Sequence, residues 1–187
     1  DVPRWGHGAR YDPVLNPCLP RVLQNAGYHT CAAGKWQISD FRLEPEAMQE
    51  AGFDEYCMWT GGEGGNEAVS NKRYWDPYIH TMEGSRTHPG AFGPDIFCDF
   101  ITAFMEKHKD HPMFIFYPMV LTHTPFVHTP AEPEADSRFE KHRAMVRYTD
   151  LIIGGHTHTF LERPTVVTNA NGRDILVNQV GCFGVNL

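Results

Sequence analysis

An amphipathic helix followed directly by an apolar strand is the feature that most constrains the fold of this chain. Four apolar side chains recur with helical spacing: Phe97, Phe100, Ile101 and Phe104. This spacing predicts a helix over residues 94–109 with one apolar face, which needs a sheet to pack against. Residues 113–117 form a continuous apolar run that ends at Pro118, the pattern of a strand buried on both faces. The pair predicts an α/β fold in which a mixed sheet is flanked by helices.

Shorter elements are predicted on both sides of this pair. Helices are expected at residues 19–25 and 137–148, and strands at 28–33, 151–153, 165–168 and 175–179. The sequence TGGEGGNE at residues 60–67 contains four glycines and predicts a loop, because glycine makes regular structure costly.

Length and composition exclude several classes of protein. The 187 residues suit one domain, or one domain and a fragment. A formal net charge of −7 provides no basic stripe for nucleic acid, and no apolar run approaches the roughly 18 residues of a membrane helix. The five cysteines are widely spaced without a C-x-x-C pair, which excludes a zinc ribbon and favours mostly buried free thiols.

Lys35 is the first candidate site residue, in the sequence Gly34–Lys35–Trp36–Gln37 after a predicted strand. A lysine at a strand end can hold an anionic substrate as a point charge, and a nearby glutamine can donate a hydrogen bond to it. An ordinary surface lysine beside a packed tryptophan is the alternative.

His123 is the second candidate, just beyond the strand at residues 113–117. Ligand-facing groups of open α/β sheets gather outside the carboxyl ends of the strands. An imidazole at that place suits proton transfer or oxyanion binding. A hydrogen-bonded structural histidine is the alternative.

His156 and His158 are the third candidate, after the predicted strand at residues 151–153. Two imidazoles two residues apart in extended chain point to the same side and can converge on a metal ion. A solvated turn is the alternative. The pair alone is incomplete, because a bound metal normally has three or four protein ligands.

Taken in order, these segments resemble the sulfatase family of the alkaline-phosphatase superfamily. The matching stretches are LPRVLQNAGYHTCAAGKWQ (19–37), AGFDEY (51–56), GPDIFCDFITAFMEKHKDHPMFIFYPMVLTHTPFVHTP (93–130) and HRAMVRYTD (142–150). The resemblance implies a truncated alkaline-phosphatase-like α/β sandwich and the hydrolysis of sulfate esters at a formylglycine beside a divalent cation, usually calcium. It implies sulfate binding by Lys35, and for His123 a sulfate contact that assists the leaving group.

The chain departs from the family pattern in ways that bear on activity. Gln37 stands where the family has a second histidine. The C-x-P-x-R nucleophile motif, the paired acidic metal ligands and the D-N-G motif are not found, and Cys18 misses the nucleophile pattern by one residue. We therefore expect the 187-residue chain alone to be inactive.

Residues 151–187 instead resemble the end of a calcineurin-like metallophosphoesterase domain of 5'-nucleotidases. That resemblance implies that His156 and His158 are two ligands of a two-metal centre, and that the metal is manganese or zinc. We therefore predict a partial sulfatase-like domain over residues 1–150 and a short β-rich phosphoesterase-like segment over 151–187, joined near Asp150.

Three functions follow from these patterns. The first is a sulfatase-type hydrolase acting on a small-molecule or sugar sulfate ester. The second is a metal-dependent phosphoesterase, and the third is a remnant that binds sulfated or phosphorylated ligands without turnover. Both resembled families are mostly exported, so we expect a periplasmic or extracellular location; the oligomeric state is not predicted.

Overall fold

The computed structural model describes residues 15–63 and 66–149, and the backbone of three strands at 152–154, 165–168 and 174–179. The chain divides into two compact units, Asp1–Val120 and Leu121–Leu187. In the described part no helix is long and apolar enough to cross a membrane. The predicted family boundary at residue 150 stays a prediction.

The first unit contains four helices and a five-stranded sheet in its described residues. In chain order they are α1 (Leu19–Asn25), β1 (His29–Lys35), α2 (Ala47–Ala51), β2 (Glu55–Trp59), α3 (Glu67–Ser70), β3 (Tyr78–Thr81), β4 (Gly84–Thr87), α4 (Gly93–Lys107) and β5 (Met113–Phe116). The strand order is β4-β3-β2-β1-β5. Strand β1 is parallel to both β2 and β5, whereas β3 is antiparallel to β2 and β4. The predicted mixed sheet flanked by helices is confirmed.

The helix that the apolar spacing predicts is α4. Pro94 lies in its first turn, and Phe97 and Phe104 are buried while the other two members of the predicted face are half-buried. The helix packs against β1 and β2. At its carboxyl end, Lys107 Nζ and His108 Nε2 lie 2.8 and 2.9 Å from Glu55 Oε1, at the start of β2.

Strand β5 is less buried than its apolar sequence predicts. It covers Met113–Phe116 and lies at the end of the described strand order, so Phe116 is 42% exposed. The strand buried on both faces is β1, where residues 30–33 are 0% exposed. The sequence there is Thr–Cys–Ala–Ala, whose small side chains carry a weaker apolar pattern than the phenylalanines of β5.

One glycine allows β1 and the chain after β5 to lie very close together. Gly34 has φ 110°, and a Cβ built on it would lie 2.3 Å from the carbonyl oxygen of Pro118. That oxygen accepts a 2.8 Å hydrogen bond from the Lys35 N–H. A side chain at residue 34 would displace this contact, so glycine is required for it.

His80 is a buried titratable group on β3. Its ring is 5% exposed and stacks on Phe41, with centroids 4.0 Å apart, and on Tyr56 at 5.5 Å. His80 Nδ1 lies 2.9 Å from Ser85 Oγ on β4. Burial lowers the pKa of His80 from 6.5 to about 4, so the ring is neutral in the folded chain at neutral pH.

The described part of the second unit contains α5 (Arg138–Arg147) and three strands, β6 (Ile152–Gly154), β7 (Thr165–Thr168) and β8 (Asp174–Gln179). Helix α5 begins with a capping box, in which Ser137 Oγ accepts from the Glu140 N–H and Glu140 Oε2 accepts from the Ser137 N–H. Strand β8 lies between β6, to which it is parallel, and β7, to which it is antiparallel. The predicted helix and the β-rich segment are confirmed.

We expect Gly34→Ala to lower the free energy of unfolding by about 2–5 kcal/mol, because it adds overpacking to a left-handed φ. Gly84→Ala is the matched control: Gly84 has φ 100° but nothing within 4 Å of an added Cβ, so we expect a loss of only about 1–2 kcal/mol. Urea denaturation followed by tryptophan fluorescence measures both, since all 4 tryptophans lie in the first unit. Equal losses would show that the Pro118 contact is unimportant.

We expect the free energy of unfolding to decrease as the pH falls from 6.5 towards 4, by about 3 kcal/mol from His80 alone. In this range the unfolded chain binds a proton at His80 that the folded chain excludes, so falling pH favours unfolding. His80→Phe keeps an aromatic ring in the stack and removes the proton site. Denaturation curves at several pH values should show a smaller pH slope for the variant; an unchanged slope would contradict this account.

Candidate functional site

The candidate site begins at the carboxyl end of β1. Because β2 and β5 run parallel to β1 on its two sides, the carboxyl ends of three neighbouring strands lie at one edge of the sheet. Lys35 is the last residue of β1 and pairs in register with Trp59, the last residue of β2. This is the edge at which open α/β sheets bind their ligands.

The Lys35 side chain is half-buried. Within the residues that the structure describes, its ammonium group makes no hydrogen bond and no ion pair. A charge that is partly removed from water and lacks an internal partner gains by binding an anion. Lys35 therefore lies at the end of a strand, and its binding of an anionic ligand stays a prediction.

Trp36 and Gln37, which follow Lys35, lie in different environments. Trp36 is buried in the core, where its indole N–H donates to Ser39 Oγ at 3.1 Å and its ring meets Phe53 edge-on. The half-buried Gln37 lies directly on Gly61, since a Cβ built on Gly61 would be 2.2 Å from Gln37 Nε2. Gln37 is thus held at the same edge by the loop that follows β2.

Glu63 is a buried residue of this loop that the sequence did not single out. It is 1% exposed, and its carboxylate accepts hydrogen bonds from the Tyr78 and Ser85 hydroxyls at 2.9 and 2.7 Å. The glycine-rich sequence predicted only a loop. A charged residue between glycines is ordinarily solvated, so no signal distinguished Glu63 from a surface residue.

His123 lies in the second unit and is exposed. Its Nδ1 is 2.7 Å from the carbonyl oxygen of Thr124. Because a carbonyl oxygen only accepts, Nδ1 carries the hydrogen, and the neutral ring keeps its lone pair on Nε2. Lys35 belongs to the first unit, so the convergence of the two side chains stays a prediction.

Two of the four described cysteines are buried and unsuited to act as nucleophiles. Burial raises the pKa of both Cys31 and Cys57 to about 12, which keeps these thiols protonated at neutral pH. Cys18 is the N-cap residue of α1, and Cys98 is exposed on α4. All four described cysteines are free thiols, two of them buried; Cys182 lies outside the described residues.

The predicted metal ligands His156 and His158 also lie outside the described residues. Among the side chains that are described, no group of three or more His, Cys, Asp or Glu is arranged to hold a metal ion. The described residues therefore do not by themselves fit the divalent cation that the sulfatase resemblance implies.

Comparison with solved structures supports the fold. Ps i-CgsB in complex with k-i-k-neocarrahexaose is 21% identical over 75% of this chain and 35% of its own, with a TM-score of 0.53. Another structure of Ps i-CgsB is 19% identical over 68% of this chain and 32% of its own, with a TM-score of 0.52. BT4656, in complex with its substrate D-glucosamine-2-N,6-O-disulfate, is 24% identical over 60% of this chain and 20% of its own, with a TM-score of 0.44.

The chain thus spans about a third or less of the length of these structures. No curated protein matches the sequence. The family model described as Sulfatase matches residues 7–168, a range that continues past Asp150 and includes His156 and His158. Since this match covers most of the chain, the chain belongs to the sulfatase family.

Proposed function

We propose that this chain binds the sulfate group of a sulfate ester at Lys35, as part of a sulfatase-type hydrolase. The observation that carries the proposal is the position of Lys35 at the carboxyl end of a strand with parallel neighbours on both sides. Within the described residues its ammonium group also has no hydrogen bond and no ion pair. Membership of the sulfatase family supports the assignment of sulfate as the anion.

The charge and position of Lys35 suit the binding of a sulfate group. An ammonium group is a point charge that attracts the sulfate oxygens without requiring one fixed geometry. Its attraction is stronger in a half-buried site than in bulk water, because the effective dielectric constant is lower. The amide of Gln37 adds neutral donors, so its contribution does not change with pH.

His123 is proposed to protonate the oxygen that leaves the sulfur. The Nδ1–H bond to Thr124 orients the ring, and in this proposal Nε2 carries the transferable proton in the imidazolium form. When the bond between sulfur and the ester oxygen breaks, that oxygen takes the proton from Nε2 and the ring becomes neutral.

Sulfatases in general use a divalent cation. The described side chains contain no cluster that would hold such an ion. We propose a sugar as the carrier of the sulfate, which the saccharide bound to Ps i-CgsB supports. An exported location stays a proposal.

We expect Lys35→Met to weaken sulfate binding roughly tenfold or more, because it removes the charge and keeps the apolar stem. The matched control is Lys109→Met, whose ammonium group is exposed and bonded to Glu106 at 2.6 Å. Sodium sulfate is titrated into each ¹⁵N-labelled chain at constant ionic strength, and the dissociation constant is taken from the amide shifts.

Two results would contradict the proposal. One is a folded wild-type chain that shows no saturable sulfate shifts near residues 34–37. The other is an equal loss of affinity in Lys35→Met and Lys109→Met, which would indicate general electrostatic attraction instead of a site.

A further inference from the structure

Glu63 is a buried carboxylate that lies outside the sulfate contacts proposed above. It is 1% exposed and follows β2 by four residues, in the loop that leads to α3. A buried charge is tolerated only where donors surround it, so its hydrogen bonds define what it holds in place.

The donors to Glu63 come from two different strands. Tyr78 on β3 donates its hydroxyl to Oε2 at 2.9 Å, and Ser85 on β4 donates to Oε1 at 2.7 Å. The Glu63 backbone N–H donates to Ser70 Oγ at 2.6 Å, at the end of α3. One residue therefore fastens the loop to the β3–β4 hairpin and to α3.

The two hydroxyl groups that contact Glu63 both act as hydrogen-bond donors to its carboxylate. Burial and the adjacent Glu63 raise the pKa of Tyr78, which keeps its hydroxyl protonated as a donor. Because the Ser85 hydroxyl donates to Glu63, the 2.9 Å contact with His80 Nδ1 has the imidazole N–H as donor. The network thus runs from the loop to the aromatic stack around His80.

The other end of the loop lies under Gln37. Gly61 and Gly62 precede Glu63 with φ of 73° and 130°, and glycines in such conformations impose little rigidity of their own. The Gln37 side chain lies against Gly61 so closely that a Cβ there would be 2.2 Å from Nε2. Because the two are in such close contact, the position of this segment limits where the Gln37 amide can lie.

We propose that Glu63 is a positioning residue, which anchors residues 61–63 against Gln37 and so sets the position of the Gln37 amide. The significance of that amide for sulfate rests on the proposed function. The anchoring itself does not, since it concerns contacts within the chain without any ligand.

The test compares Glu63→Gln with Glu83→Gln. Glu63→Gln preserves the shape of the side chain but replaces one acceptor oxygen with a donating amide, so Tyr78 and Ser85 cannot both donate as before. Glu83→Gln is the same change on the turn between β3 and β4, where the carboxylate is 75% exposed. The readout is the side-chain NH₂ signals of Gln37 and the backbone amides of residues 61 and 62, by ¹H–¹⁵N NMR of the sulfate-free chain.

We expect these signals to shift or broaden in Glu63→Gln and to remain in place in Glu83→Gln. The sulfate dissociation constant should rise about two- to tenfold in Glu63→Gln, less than in Lys35→Met, because one neutral donor is misplaced and the charge is kept. If Glu63→Gln fails to fold, Tyr78→Phe and Ser85→Ala each remove one donor and should move the same signals.

Unchanged Gln37 signals in a folded Glu63→Gln chain, or in both donor variants, would overturn the proposal. A wild-type chain that does not bind sulfate would instead overturn the proposed function. In that case the shift of the Gln37 signals in the sulfate-free chain still decides whether Glu63 anchors the loop.

Discussion

The close approach of Gly34 to Pro118 is the constraint on which the rest of the site depends. The Pro118 carbonyl oxygen occupies the space that a side chain at residue 34 would fill, and it accepts the Lys35 N–H. This contact brings the chain that follows β5 against the end of β1. Because β2 flanks β1 on the other side, Lys35 ends its strand between two neighbours, with its ammonium group at the shared edge.

A second set of contacts involves AGFDEY (51–56), another stretch that resembles the sulfatase family. Gly52 has φ 97°, and an added Cβ there would lie 2.4 Å from the backbone of Arg21. Asp54 accepts from the Thr30 N–H at 2.9 Å and from Gln24 Nε2 at 2.6 Å. These residues hold α1, β1 and α2 together. The same family resemblance therefore marks structural positions as well as a candidate ligand site.

The sequence predicted the elements whose patterns are local. The apolar spacing of α4 depends on neighbours a few positions away, and the helices predicted at residues 94–109 and 137–148 formed as expected. The short strands β3 and β4 were not predicted, because each covers four residues and its pairing is decided by residues elsewhere in the sheet. For the same reason the sequence did not predict that β1 is more buried than β5, since the order of the strands is a property of the whole sheet.

The candidate site was predictable in part for a related reason. Lys35 follows a strand in a recognisable sequence, so its position could be inferred. Glu63 became significant only when β3 and β4 brought Tyr78 and Ser85 to it across 15 and 22 residues of chain. The spacing of residues in the sequence does not predict such long-range hydrogen bonds.

A selenate soak tests the central claim most directly, because selenate has the shape and charge of sulfate and its selenium atom is located by anomalous diffraction. A crystal of this chain soaked in selenate should show a selenium peak at Lys35, placed so that a selenate oxygen lies within hydrogen-bonding distance of Nζ, with the Gln37 amide beside it. A well-ordered, solvent-accessible Lys35 without such a peak, in a crystal that binds selenate elsewhere, would contradict the assignment of this edge as the sulfate site.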